Sequence, residues 1–135
     1  MKPNAILAAL SLMLLAGCQS AGGPSTGQTS FSVPVGVERM VNSVYSVNED
    51  CSPIGEVVVR VTAPPAHGTV EVRSGPVHTT FPDANPRSVC NSRTVRGKQI
   101  WYRPAAGYSG PDAFTVEKIY ATGNDGSQNF SINVQ

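Results

Sequence analysis

Charge is scarce in this chain. Only 14% of its 135 residues are charged, ten Lys and Arg against nine Asp and Glu. A polyanion-binding surface needs its cations clustered, and no Lys/Arg cluster is present, which excludes nucleic acid as a partner. Histidine is limited to His67 and His78. His78 stands in Val77-His78-Thr79-Thr80 with no adjacent Cys or acidic residue. The chain has no Gly-x-Ser-x-Gly elbow, no His-Glu-x-x-His pair and no phosphate loop, so no enzyme class is indicated. Nowhere after residue 20 do apolar residues recur at helical spacing, which argues against a helical bundle. Internal repeats are also lacking. The one long apolar run, residues 5–16, is too short to cross a bilayer.

Turn chemistry is what the chain has in quantity. Thirteen Gly and 11 Pro in a sequence that is 40% hydrophobic suit a compact all-β module better than a disordered tail. The length allows one ordinary domain.

The N-terminus reads as a targeting signal. Met1-Lys2 gives a short positive end, and the apolar run finishes in Leu15-Ala16-Gly17-Cys18. This resembles the bacterial lipoprotein signal, whose Leu-Ala-Gly-Cys box directs lipidation of the cysteine and cleavage just before it. An ordinary secretory peptide with an incidental cysteine is the alternative. The resemblance implies a signal peptide over residues 1–17 and a covalent lipid on Cys18, with no other cofactor. It also implies a membrane anchor, since several acyl chains bury many CH₂ groups at about 0.8 kcal/mol each. Loss of Lys2 would leave nine basic and nine acidic side chains. By resemblance to enterobacterial lipoproteins, Gln19 in place of an aspartate points to the outer membrane of the cell envelope. Residues 18–30 are rich in Gly, Ser, Thr and Pro and read as a lipidated flexible tether with a reach of roughly 15–20 Å.

With Cys18 assigned to lipid, Cys51 and Cys90 remain of the three cysteines. An even remainder in an exported protein suggests a disulfide. It would close a loop of about 40 residues, worth roughly 4 kcal/mol in the chain-entropy model. Two free thiols are the alternative; a metal site is disfavoured because no histidine lies near.

From residue 31 the chain shows short strands between strong turn signals. Phe31, Val33, Val35 and Val37 alternate as a half-buried first strand, which Pro34 confines to an edge. Val41, Val44, Tyr45 and Val47 form a second run. Residues 56–62 carry the valine-rich third, and Thr69-Val70-Glu71-Val72-Arg73 alternates cleanly as a fourth. Ser74-Gly75-Pro76 predicts a turn before another strand over residues 77–81. Residues 81–97 are proline-rich and polar, the least regular part. Ile100-Trp101-Tyr102-Arg103-Pro104, residues 112–120 and residues 130–134 complete the series, with a hairpin at Gly123-Asn124-Asp125-Gly126. Successive strand residues face opposite ways, so one of Trp101 and Tyr102 is core and the other less buried. Seven or eight strands in this length predict a β-sandwich over residues 31–135, with one disulfide.

Pro65-Ala66-His67-Gly68-Thr69-Val70, followed by Tyr102-Arg103-Pro104-Ala105-Ala106-Gly107-Tyr108-Ser109-Gly110-Pro111-Asp112-Ala113-Phe114, resembles the bacterial Ig-like, cadherin-like repeat of surface proteins. The resemblance covers roughly residues 55–135 and makes the expected fold an Ig-like antiparallel β-sandwich. The chain departs from it in having a single copy, a Cys51/Cys90 pair and the irregular segment 81–97. The matching residues have structural readings. Gly68, Gly107 and Gly110 suit backbone that a Cβ would strain. Tyr108 suits a corner where its hydroxyl bonds backbone while its ring packs. Asp112 is placed to accept backbone N–H groups at the start of its strand. His67 belongs to the turn, and Phe114, Val116 and Tyr120 alternate toward one face.

Asn48-Glu49-Asp50 and Asn124-Asp125-Gly126 offer oxygen ligands, but too few carboxylates for a calcium site. The second is better explained as a hairpin turn whose residues tolerate positive φ. The expectation is therefore a non-catalytic, metal-free envelope lipoprotein that contacts an envelope protein, a glycan or a surface ligand. Candidate contacts are Arg87, Arg93 and Arg96 in the irregular segment, since rigid sandwiches place recognition on loops. On that expectation residues 83–93 can be deleted without loss of the fold. Two alternatives stand beside it: a loop-based inhibitor of a secreted hydrolase, and a structural subunit of an envelope assembly.

Overall fold

The computed structural model describes residues 27–135. The expected signal peptide, Cys18 with its lipid, Gln19 and the tether as far as residue 26 lie outside the described residues.

Alternation of apolar and polar side chains builds the C-terminal strands as the sequence predicts. Strand β6 (Gly110–Ile119) buries Asp112, Phe114 and Val116, and β7 (Asp125–Val134) buries Phe130, Ile132 and Val134. They pair antiparallel through the expected hairpin, where Tyr120 N donates to Asn124 O at 3.1 Å. The positive φ in that turn falls on Gly123 (83°), not on Asn124 or Asp125.

The earlier strands are β1 (Gly27–Val33), β2 (Arg39–Val44), β3 (Val58–Ala63), β4 (Gly68–His78) and β5 (Thr94–Pro104). A four-stranded sheet β1-β7-β6-β3 faces a three-stranded sheet β2-β5-β4, a β-sandwich of seven strands. Between the sheets lies a core of Val33, Val41, Val44, Ile100, Tyr102, Phe114, Val116, Phe130, Ile132 and Val134. Phe114 stacks on Phe130 at 4.6 Å between ring centroids. Of the residue pair Trp101 and Tyr102, Tyr102 is the core residue and Trp101 remains half-buried under the Arg73 guanidinium.

Several elements differ from expectation. Strand β1 begins at Gly27, inside the predicted tether, and ends before Pro34; Val35 and Val37 lie in the turn that follows and are exposed. It pairs parallel with β7, so the sandwich is not wholly antiparallel. The chain leaves β1 for the opposite sheet, and no tight hairpin imposes an antiparallel partner there. The valine-rich β3 is an edge strand, with Val58 and Val61 exposed.

The largest difference is at Ser74-Gly75-Pro76, which makes no turn. Strand β4 runs straight through it, paired with all eleven residues of β5. Pro76 is tolerated because β4 is an edge strand. Burial changes phase here: β5 buries Val95 and Gly97, then Ile100 and Tyr102. One strand pair thereby serves two clusters, the main core and a smaller one of Val47, Val77, Cys90 and Val95.

That smaller cluster is covered by a 3-10 helix, Pro86–Ser92, capped by the Asn85 side chain accepting from Arg87 N at 2.9 Å. The Cys51–Cys90 disulfide is formed, with a Cα–Cα distance of 5.6 Å, and joins this helix to the turn after β2.

Candidate functional site

The two ends of the sandwich differ in character. At one end lie the β3–β4 and β5–β6 connections, and here the predicted motif residues assemble into a knot. Asp112 is its centre. Its carboxylate accepts from Ala66 N (3.0 Å), His67 N (3.1 Å), Ala113 N (2.9 Å) and the Tyr102 hydroxyl (2.7 Å). Burial first, and then the bond to Asp112, push the Tyr102 phenol well above the usual tyrosine range. Tyr108 takes the predicted corner role, its hydroxyl donating to Pro111 O at 2.5 Å. Its ring stacks on His67, centroids 4.1 Å apart and planes 6° from parallel. Gly107 and Gly110 have φ of 73° and 125°, and a Cβ on Gly68 would lie 2.6 Å from Arg103 O and 2.8 Å from the Tyr102 ring. His67 is thus spent on packing against Tyr108 and on turn formation.

The opposite end carries β1's first residue, the 46–57 connection, the 3-10 helix and the β6–β7 hairpin. Arg87, Arg93 and Arg96 fall on different elements. Arg87 lies in the 3-10 helix, half-buried, its Nε donating to Val47 O at 2.8 Å. Arg93 caps that helix, and Arg96 is an exposed residue of β5 paired with Pro76. Nor is the segment a dispensable loop, as the predicted deletion of 83–93 assumed. Cys90 is fully buried, and Asn91 accepts from Thr79 Oγ1 and Phe81 N while donating to Phe81 O. Removing it would strip the smaller cluster of its lid and its disulfide.

Around Arg96 is an open cleft of about 700 Å³, floored by Gly75 and Gly97. Its Lys98 is already matched, at 2.8 Å from both Glu56 Oε1 and Ser74 Oγ. Charge is likewise satisfied on the outer face of the small sheet, where Glu38 bridges Arg73 and Arg103. The arginine bonds, Arg103 first, hold the Glu38 carboxyl below the usual carboxylate range. Asp50 Oδ1 is engaged by Ser52 N and Oγ in a local turn, and Cys51 takes a positive φ of 69° beside it. Among the described residues no three His, Cys, Asp or Glu side chains gather as a metal set.

A different group of residues stands out at this end. A groove runs around Tyr120, formed by clefts of about 430, 480 and 280 Å³ that share Tyr120 and, pairwise, Lys118, Tyr45 and Asn124. Arg87 lines its shallowest part. Lys118 sits two residues beyond Val116, on the inward-facing side of β6, and Gln128 sits two residues before Phe130 on the inward-facing side of β7. Lys118 Nζ donates to Gln128 Oε1 (2.9 Å), which also accepts from Asn42 Nδ2 (3.2 Å); Gln128 Nε2 donates to Thr29 Oγ1 (2.7 Å). Burial holds the Lys118 ammonium below the usual lysine range, and burial likewise raises the Tyr120 phenol. Sequence reading passed over Lys118, although the alternation that places Phe114, Val116 and Tyr120 on one face places Lys118 there too.

No family model matches this chain, and no curated protein matches it.

Proposed function

We propose that the chain is a lipid-anchored envelope protein that acts by binding, without catalysis, through the end of its sandwich that bears the Tyr120 groove. One observation carries this reading. The open clefts around Tyr120, the disulfide-held 3-10 helix and Gly27, where the chain enters the fold, all lie at the same end. The disulfide and the small core beneath it stiffen that end, which favours recognition because little ordering remains to be done on binding. The Leu15-Ala16-Gly17-Cys18 box supports the anchor, and Gln19 in place of an aspartate supports the outer-membrane placement. Eight residues separate Cys18 from Gly27, and a tether of this composition and length reaches roughly 14–17 Å. Such a tether would hold the groove end close to the membrane. The knot around Asp112 supports the likeness to the bacterial Ig-like repeat as a matter of scaffold, with the binding chemistry placed at the other end.

The test places a photo-crosslinking residue at Thr122, on the groove end, or at Ala106, on the knot end, in the full-length protein in cells. Specific products from Thr122 and none from Ala106 are expected, and Cys18→Ser should release the chain from the membrane fraction. Equal products from both positions, or products from Ala106 alone, would refute the assignment of the binding end.

A further inference from the structure

Inward-facing positions of a sandwich are filled by apolar side chains wherever the two sheets close on each other. At the groove end this chain breaks that rule three times in one place, with Lys118, Gln128 and Asn42. Violations of the in/out pattern concentrate at functional sites, because a half-buried cation and its amides give less to stability than apolar residues would. Among the described residues Lys118 also has no countercharge. The four ion pairs among the described residues all use other cations, and Asp125 at the groove's lip makes none with it. Its partner is the neutral Gln128 oxygen, which occupies one of three ammonium donors.

We propose that this groove binds an acidic saccharide, a sugar carboxylate pairing with the Lys118 ammonium while the ring lies against Tyr120. The ligand class follows from the lining. A single ammonium matches a single carboxylate, whereas phosphate sites recruit several donors or the arginine fork. Beyond their bonds within the protein, Asn42 and Gln128 each keep one amide N–H and the Thr80 hydroxyl keeps a lone pair for sugar hydroxyls, and Tyr45 and Tyr120 supply flat apolar surface. A cleft of about 480 Å³ and its neighbour of about 430 Å³, which share Lys118 and Tyr120 as lining, each lie within the range of small-ligand sites. The partly desolvated ammonium gains most from a ligand that brings its own negative charge.

This inference rests on the reading of the chain as a binding protein, yet the two fail separately: crosslinking from Thr122 persists if the ligand is not a sugar acid. The experiment is calorimetric titration of the full-length lipidated protein in detergent micelles. The probes are trigalacturonate and triglucuronate, each beside its carboxyl-reduced neutral counterpart and inorganic phosphate. The acidic forms should bind at least about 10-fold more tightly than the neutral ones, and phosphate should not compete. Lys118→Met should weaken binding about 10- to 100-fold, the worth of one charged hydrogen bond, without lowering the urea midpoint. Lys98→Met, which removes a cation already paired with Glu56, should leave affinity unchanged. Equal affinity for acidic and neutral forms, binding indifferent to Lys118→Met, competition by phosphate, or no binding to either acid would overturn the proposal.

Discussion

Asp112→Ala tests the knot most directly. The substitution removes one carboxylate that satisfies four donors. These donors are not equivalent. Ala66 and His67 are exposed, so their N–H groups regain water and lose only the margin by which a charged acceptor exceeds water. The Tyr102 hydroxyl belongs to a side chain with no exposure, and it would be left buried without a partner. An unsatisfied buried hydroxyl costs about 1–3 kcal/mol, and each bond to a charged group contributes about 1.5–3 kcal/mol before compensation by water. The expected loss is therefore about 3–4 kcal/mol. Tyr102→Phe alone should cost about 1–2 kcal/mol, since the carboxylate keeps its backbone donors. In the Asp112→Ala background the same change should instead regain about 1–3 kcal/mol, because the orphaned hydroxyl disappears with it, giving a coupling of about 2–5 kcal/mol. Urea unfolding of the Cys18→Ser chain, followed by the fluorescence of its single tryptophan, Trp101, reads all four corners of the cycle. With a slope of about 1–2 kcal/mol per molar urea, the midpoint of Asp112→Ala should fall by roughly 2 M at unchanged slope. A loss below about 1 kcal/mol, or strict additivity of the two substitutions, would show that Asp112 does not organise this end.

Three further outcomes are expected. Reducing the Cys51–Cys90 disulfide, whose cysteines are 39 residues apart, should cost roughly 4 kcal/mol in the same unfolding assay. Partial proteolysis should then cut first near the 3-10 helix. Gly68→Ala drives a Cβ against backbone as well as the Tyr102 ring, so it should lose about 2–3 kcal/mol by overpacking; an unchanged midpoint would mean that the β3–β4 turn yields. Alkaline pH should weaken the fold through Tyr102. Its folded pKa is raised, so its contribution is complete below the unfolded value of about 10 and is lost as pH rises through the folded one. Unfolding measured across that window should show a steeper decline for the parent chain than for Tyr102→Phe.

How much of this was legible in the sequence can be read from particular residues. Alternation in 112–120 and 130–134 is a local property of the backbone, so the face carrying Phe114, Val116, Phe130 and Ile132 followed from composition alone. Turn chemistry and the parity of the cysteines were equally local or countable, and they led to the sandwich, the Tyr108 corner and the Cys51–Cys90 bond. Ser74-Gly75-Pro76 misled because a change of buried phase and a true turn look alike in one dimension. Only the pairing of β4 with β5 across two core clusters distinguishes them. The parallel partner of β1, at the other end of the chain, was likewise beyond any local signal. Arg87, Arg93 and Arg96 looked like one site because they are neighbours in sequence, and the fold sends them into a helix, a cap and a strand.

The groove divides between the two kinds of information. The sequence by itself determined that Lys118 shares a face with Phe114 and Val116, because side chains two residues apart on a strand point the same way. Tertiary structure alone decided that this face opens at its last positions, where Gln128 comes from the hairpin partner β7 and Asn42 and Tyr45 arrive from elements remote in the chain. Only where the sheets part does an inward lysine become a half-exposed cation with no countercharge among the described residues, and that depends on distances between strands that no single strand encodes.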